Sequence, residues 1–409
     1  MRPKILFLTQ LLPYPPVCGG TIRSFHTVKR LSENYDITLL SFARRPEDFG
    51  HADHLRQYCA DVRVFPMKRS ALINARWMAQ TLATGRPFIV DRDSVPEMQA
   101  AVDRMLAEDR FDLIYVDHLQ MTLYLKGKHL CPSLLDEHNV EWQLIRRVAE
   151  TEPFGLRKWL ASLEWRKLRS YELAVCREYD VVTTVTEQDK AALQADAPDL
   201  AAVDCVPIGV DTHEFTPVEL DPESKTILSL ATMSWYPNVD AMHYFYSEIF
   251  PLVREQVPDA RLVIAGSRPP ESIKKLEQDS SVSVPGFVQN VQDVAGKAAV
   301  FIVPLRSGSG MRVKILNALA MGLPVVSTNV GCEGISARHE EHILLADSPD
   351  DFAAQVVRLL KDRALRTRLG AAGREFVEKC YAWQVVYPKL DAAVARALHS
   401  VAEVGLEPA

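Results

Sequence analysis

The chain has 409 residues, 47% of them hydrophobic and 24% charged, with a formal net charge of −6. That length is more than one core usually serves, so two globular domains are expected, and the negative balance argues against general nucleic-acid binding. Seven scattered cysteines form no C-x-x-C pair, which points to a reduced compartment and away from a zinc site, and no stretch approaches the roughly twenty apolar residues of a spanning helix.

The apolar run Ile5–Leu8 is too short for a signal peptide, so Lys4–Thr9 reads as a first strand and the protein as cytoplasmic. Pro13, Pro15 and Pro16 make a stiff loop. Gly19-Gly20 then opens a helix with apolar positions at Ile22, Phe25, Val28 and Leu31, and Ile37–Phe42 is a second strand. The glycine pair fits either a tight turn or a helix start that faces a ligand, and Arg23, one turn inside, could reach an anion there. Val62–Pro66 reads as a strand, 70–85 and Val95–Glu108 as helices. Phe111–His118 is a buried strand with a polar end. A histidine just past a strand's carboxyl end suits a ligand site, or a local surface hydrogen bond. Ser133–Glu141 repeats the pattern: Asp136, His138 and Glu141 form either an acid–base group or a polar network holding the next helix.

Trp142–Glu178 is helical with a break near Pro153. Between Trp142 and Tyr171 seven cations face three anions, a balance of +4, accompanied by Trp142, Trp159 and Trp165. Such a segment suits a membrane surface or an ordinary solvated face. Tyr179–Glu187 reads as a strand and a helix start capped near Thr186 or Glu187, and Ala201–Pro207 as the last strand of this series. Thr212–Ser224, with Pro217 and Pro222, reads as a linker. Strands resume at Thr226–Ala231, Arg261–Gly266 and Val282–Val288.

Val300–Leu305 is a buried strand, followed by a loop with Gly308 and Gly310 and by a helix over Met311–Met321. Gly322 fits the helix stop, and Leu323–Thr328 is the next strand. In a parallel sheet this loop lies at the carboxyl edge, where ligands bind. Its glycines admit close backbone approach, and the helix start presents free N–H groups and partial positive charge. Arg312 and Lys314 add two cations where the helix dipole disfavours them, which fits either an ordinary solvated basic turn or, with loop and dipole in agreement, a diphosphate site. A dinucleotide fingerprint is rejected: Val313 stands where its third glycine belongs, and Thr328–Gly331 offers no carboxylate. Asp351–Cys380 reads as helical, and a terminal helix after Trp383 returns to the first domain. No metal constellation is visible.

The run GSGMRVKILNALAMGLPVVSTNVGCEGI resembles the donor-site signature of retaining family 4 glycosyltransferases, in the branch associated with exopolysaccharide loci. Asp136–Glu141 is similar to that branch's D-x-H-N-x-E segment and Trp235–Asn238 to its W-x-P-N loop. The resemblance implies an α/β protein of GT-B fold, with two Rossmann-like doubly wound domains facing each other across a cleft. These are an acceptor-side domain over 1–210, joined by about 384–409, and a nucleotide-sugar domain over 224–383. It implies a catalytic set of His118, Arg312 and Lys314. Donor binding falls to Gly19, Gly20, Ser234, Asn238, Gly266, Phe287, Val288, Gly308, Ser309, Gly310, Met311, Arg312, Lys314 and Asn317, and the acceptor side to Arg23, His138 and Glu141. The family's two motif glutamates are replaced by Ser309 and Asn317. The implied reaction moves a sugar from a nucleotide diphosphate sugar to a glycan, lipid-linked or small-molecule hydroxyl acceptor with retention. It needs no cofactor and no metal, and takes place in the cytoplasm or at the inner membrane face. A sugar-nucleotide epimerase and a non-catalytic relative stay open as alternatives.

Overall fold

The computed structural model describes residues 2–70, 77, 78, 81, 85–128, 131–151, 155–200, 202–233, 235–308 and 310–403; most of the helix expected over 70–85, and the positions Ser234 and Ser309, lie outside them. Among the described residues thirteen strands form two sheets. The first holds β1 (Lys4–Thr9), β2 (Asp36–Ala43), β3 (Asp61–Pro66), β4 (Leu113–Asp117), β5 (Ser133–Glu137), β6 (Val181–Thr184) and β7 (Val203–Cys205), in the order β3-β2-β1-β4-β5-β6-β7. The second holds β8 (Thr226–Leu230), β9 (Arg261–Ala265), β10 (Val282–Gly286), β11 (Val300–Val303), β12 (Val325–Ser327) and β13 (Leu344–Leu345), in the order β10-β9-β8-β11-β12-β13. All pairs are parallel. The apolar runs explain this: Ile5–Leu8, Leu113–Val116 and Val300–Val303 are buried along their whole length, as strands covered on both faces must be.

The chain divides into two units, Met1–Pro207 with Tyr387–Ala409, and Ile208–Val386. In each sheet the strand order reverses once, between β1 and β4 and between β8 and β11. Loops leaving the two sides of such a point diverge and open a crevice at the carboxyl edge. No described helix is long and apolar enough to cross a membrane.

Most local signals act as read. Thr186 caps the Glu187–Asp196 helix by accepting from the Asp189 N–H at 3.0 Å. Gly322, at φ 76°, closes the Val313–Ala320 helix: its N–H reaches the Leu319 carbonyl, and the Leu323 N–H reaches that of Ala318. Three readings change. Asp362 splits the long helix after Asp351 into Pro349–Lys361 and Arg363–Cys380 by capping the second at the Leu365 N–H. Residues 212–224 are tied down within the second unit, because Arg374 donates to the carbonyls of Thr212 and Phe215 and Arg366 to those of Pro222 and Ser224. In the Gly19–Leu31 helix Ile22 is only half-buried, while Arg23 and Ser24 point inward.

Behind β5 the first unit encloses two carboxyls. Glu137 is 1% exposed, and neither of its oxygens finds a hydrogen-bond partner among the described residues. Glu172, fully buried, accepts the backbone N–H groups of Glu141 and Trp142 at 3.0 and 3.1 Å. Burial, then the charge of the other carboxyls, pushes both well above the ordinary glutamate range, so both are neutral in the fold. Their contribution is whole below the unfolded value of about 4.3 and is lost as pH rises toward the raised folded value, by up to about 1.4 kcal/mol per pH unit for each group. Glu137→Gln should therefore stabilise the protein in urea denaturation by at least about 1.4 kcal/mol at pH 8, and far less at pH 5. An equal change at both pH values would contradict this.

Candidate functional site

Polar side chains gather at the carboxyl edge of each sheet. In the first unit, register brings the strand ends together: Thr9 pairs with Asp117 and Asp117 with Asp136. Asp117 is fully buried. One oxygen faces His138 Nε2 at 2.7 Å; the other accepts from Ser24 at 2.7 Å and from Thr9, and faces His118 Nδ1 at 3.1 Å. One carboxylate thus holds two imidazoles, whose centroids are 3.7 Å apart. His118 sits at φ 82°, a conformation uncommon outside glycine. The far nitrogens, His118 Nε2 and His138 Nδ1, both face Gly20, where a Cβ would lie 3.5 Å from each.

The pair is electrostatically asymmetric. Burial would raise Asp117, but the His118 and His138 imidazoles outweigh it and hold it well below the carboxylate range. Burial lowers both histidines; for His118 the charge of Asp117 prevails and its pKa rises, while for His138 the neighbouring His118 adds to burial and its pKa falls. His118 therefore keeps the proton that His138 gives up, and His138 Nδ1, buried and without a partner among the described residues, offers a lone pair.

The other first-unit expectations are revised. Arg23 is 1% exposed and grips Asp136 through Nε at 2.8 Å and Nη2 at 2.6 Å, with Nη1 on the Val206 carbonyl. Tyr115 and Thr183 complete Asp136, each at 2.8 Å. Arg23 is thus committed to the interior and does not reach an anion at Gly19-Gly20. Of the expected group of Asp136, His138 and Glu141, Asp136 lies 3.7 Å from His138 but is held mainly by Arg23, and Glu141 accepts from Gln120 at 3.4 Å. The residue that sequence reasoning missed is Asp117, although a strand ending in Asp-His was a signal. Asp117, His118 and His138 also each offer one ligand atom, all within 4.8 Å of one another, so a group able to hold a metal ion does exist. An ion there would have to replace the imidazole hydrogen bonds to Asp117.

The basic segment is not a common tryptophan face. Trp142 is buried, Trp165 is contacted by the guanidinium groups of Arg146 and Arg166 at 5.7 and 4.7 Å, and only Trp159, 54% exposed, faces solvent. Arg146 and Arg169 pair with Glu150 and Asp196.

In the second unit, Gly266, Phe287 and Val288 follow β9 and β10 on the edge that also carries the loop after β11. Phe287 is exposed and Val288 half-buried. Gly266 is needed for packing, since a Cβ there would lie 1.7 Å from the Ala231 carbonyl oxygen. After β11 the chain passes through Gly308 at φ 136° and Gly310 at φ 73°, conformations that favour glycine. A Cβ on Gly308 would also lie 2.5 Å from Arg312 Nη2. Met311 is buried, Arg312 takes the N-cap position of the Val313–Ala320 helix, and Lys314 is its second residue. The Arg312 guanidinium lies 5.5 Å from the Trp235 ring centroid, a contact not foreseen. Lys314 Nζ donates to Asn238 Oδ1 at 2.9 Å. Asn317, half-buried, lies one turn behind Lys314. Two cations, a glycine loop and the start of a helix therefore meet at one point, an arrangement whose chemistry suits a phosphate anion.

A family model described as glycosyl transferases group 1 matches residues 224–362. Over 239 residues the chain is 31% identical to a GDP-mannose-dependent alpha-(1-6)-phosphatidylinositol monomannoside mannosyltransferase of Mycobacterium tuberculosis, covering 52% of this chain and 60% of that protein. An uncharacterized 44.6 kDa protein in the cps region of Klebsiella pneumoniae is 20% identical over 95% of this chain and 98% of its own length. Among solved structures, a sucrose-phosphate synthase from Thermosynechococcus elongatus superposes with a TM-score of 0.71 at 17% identity, covering 98% of this chain and 100% of that one. Anabaena HepE, in complex with UDP and glucose, superposes with a TM-score of 0.65 at 12% identity, covering 96% and 99%. The fold is therefore GT-B.

The buried pair sets a test of what Arg23 does. Arg23→Ala should cost about 3–5 kcal/mol of stability, because it strands Asp136 without its cation. Asp136→Asn combined with Arg23→Met should cost less than Arg23→Ala alone. Denaturant titration that finds Arg23→Ala near neutral would contradict the interior role.

Proposed function

We propose, from the match of residues 224–362 to the glycosyl transferases group 1 model, that this protein moves a sugar from a nucleotide diphosphate sugar to a hydroxyl acceptor with retention of configuration. The observation that carries the reading is the pairing of Arg312 and Lys314 with the amino terminus of the Val313–Ala320 helix. In this reaction the bond from the sugar's C1 to the diphosphate oxygen breaks, a bond from C1 to the acceptor oxygen forms, and the acceptor's proton leaves with the diphosphate. The demand is to stabilise a departing dianion, which fixed cations and N–H dipoles meet without rearranging. In the first unit, protonated His118 and neutral His138 offer one donor and one acceptor beside Gly20, the complement of a sugar or acceptor hydroxyl.

The relatives support a nucleotide sugar and leave two bases in play: the mycobacterial relative is named for GDP-mannose, and HepE was solved with UDP. That relative also acts on a phosphatidylinositol glycolipid, which favours a lipid-linked acceptor here and contact with a membrane surface through the exposed Trp159 region. Asn317, where the family pattern has glutamate, keeps one acceptor oxygen for a ribose hydroxyl and loses the charge that would face Lys314.

Radiolabelled UDP-glucose and GDP-mannose, incubated with a lipid extract as acceptor, should give labelled glycolipid with one of them. Arg312→Ala and Lys314→Ala should each weaken nucleotide binding by about 1.5–3 kcal/mol in calorimetry, the range for hydrogen bonds to charged groups. Asn317→Leu should weaken it less, and Asn317→Glu should leave it unchanged or tighter. Unaltered affinity in both cation variants would overturn the donor assignment.

A further inference from the structure

The helix that opens at Tyr236 treats two cations differently. Asp240 gives Arg306 a carboxylate at 2.6 and 3.1 Å. Two residues earlier on the same helix, Asn238 gives Lys314 a neutral amide oxygen at 2.9 Å. Asn238 is 7% exposed, and its Nδ2 donates to the Thr232 carbonyl at 2.9 Å. That carbonyl fixes the amide's orientation, because a flipped Asn238 would set oxygen against oxygen at Thr232 and donors against Lys314. Lys314 is thus held in place without being neutralised. Among the described residues no carboxylate pairs with it, and Arg312 adds a like charge.

We propose that Asn238 is a positioning residue that holds Lys314 as an uncompensated amine, so that a nucleotide diphosphate sugar binds together with a proton taken up by Lys314. The inference rests on the donor reading above. Lys314 is half-buried beside Asn238, and its desolvation, then the Arg312 charge, pushes it down to about 7, so that it can gain a proton near neutral pH. A diphosphate beside it supplies the missing opposite charge and restores the ammonium. The proton comes from solvent and ends on Nζ; no covalent bond to the ligand forms. An aspartate at 238 would instead keep the lysine charged beforehand and compete with the ligand for it.

The test is calorimetric titration of UDP-glucose and of GDP-mannose into the full chain, in buffers of different ionisation enthalpy at pH 7 and pH 8. The diphosphodiester of these ligands carries no group that titrates near neutrality, so linked protons report on the protein. Uptake should be about half a proton at pH 7 and should approach one at pH 8, with affinity falling toward tenfold per pH unit above that. Asn238→Asp should abolish the uptake and weaken binding about tenfold. Asn238→Leu should weaken binding but keep the uptake, which separates the charge effect from loss of structure. Wild-type binding with no linked proton, or equal uptake in Asn238→Asp, overturns this inference alone. If neither nucleotide sugar binds, the donor reading falls first and this one with it.

Discussion

Positive charge is concentrated at the start of one short helix, and the second unit is arranged to tolerate it. Arg312 occupies the N-cap position and Lys314 the second helical residue, where the backbone dipole already repels cations. The glycines at 308 and 310 let the loop fold closely around Arg312, Trp235 offers its ring face, and Asn238 offers a neutral oxygen. The Asn238 contact positions Lys314 without cancelling its charge. A helix selected for stability alone would carry acids here, so the arrangement makes sense as a site whose missing charge arrives with the ligand.

The first unit solves the opposite problem. It is rich in buried acids. Asp136 is neutralised by Arg23, Asp117 is shared between two imidazoles, and Glu137 and Glu172 are kept neutral by burial. The consequence is an imidazole pair in which one ring holds a proton and the other a lone pair, at the point where the sheet's strand order reverses. On the proposed reading, dianion stabilisation and hydroxyl recognition would fall to different sheets.

Much of this was legible in the sequence, and the boundary is physical. Apolar runs such as Ile5–Leu8 and Val300–Val303 mark buried parallel strands because both faces must be covered, so the two sheets could be read. The loop after β11 could be read as an anion site because glycines, helix start and cations are contiguous. What could not be read depends on register between distant strands. Asp117 and His138 are 21 residues apart, and Lys314 and Asn238 are 76 apart. The roles of Arg23 and Trp142 were misread because their burial follows from helix rotation, which the apolar positions alone did not fix: Ile22 is half-buried where Arg23 is not. The strand Leu344–Leu345 is too short to leave a pattern.

The central claim is that the diphosphate of a sugar nucleotide lands on the amino terminus of the Val313–Ala320 helix. Hydrogen–deuterium exchange with and without UDP-glucose or GDP-mannose addresses it directly. The first two helix amides, those of Val313 and Lys314, have no intrahelical acceptor, while that of Ile315 reaches the Arg312 carbonyl, so the first two exchange readily until a ligand occupies them. The account predicts ligand-dependent slowing centred on residues 310–316, spreading to Trp235–Asn238. Slowing confined to other loops, with residues 310–316 unchanged at saturating nucleotide sugar, would contradict it.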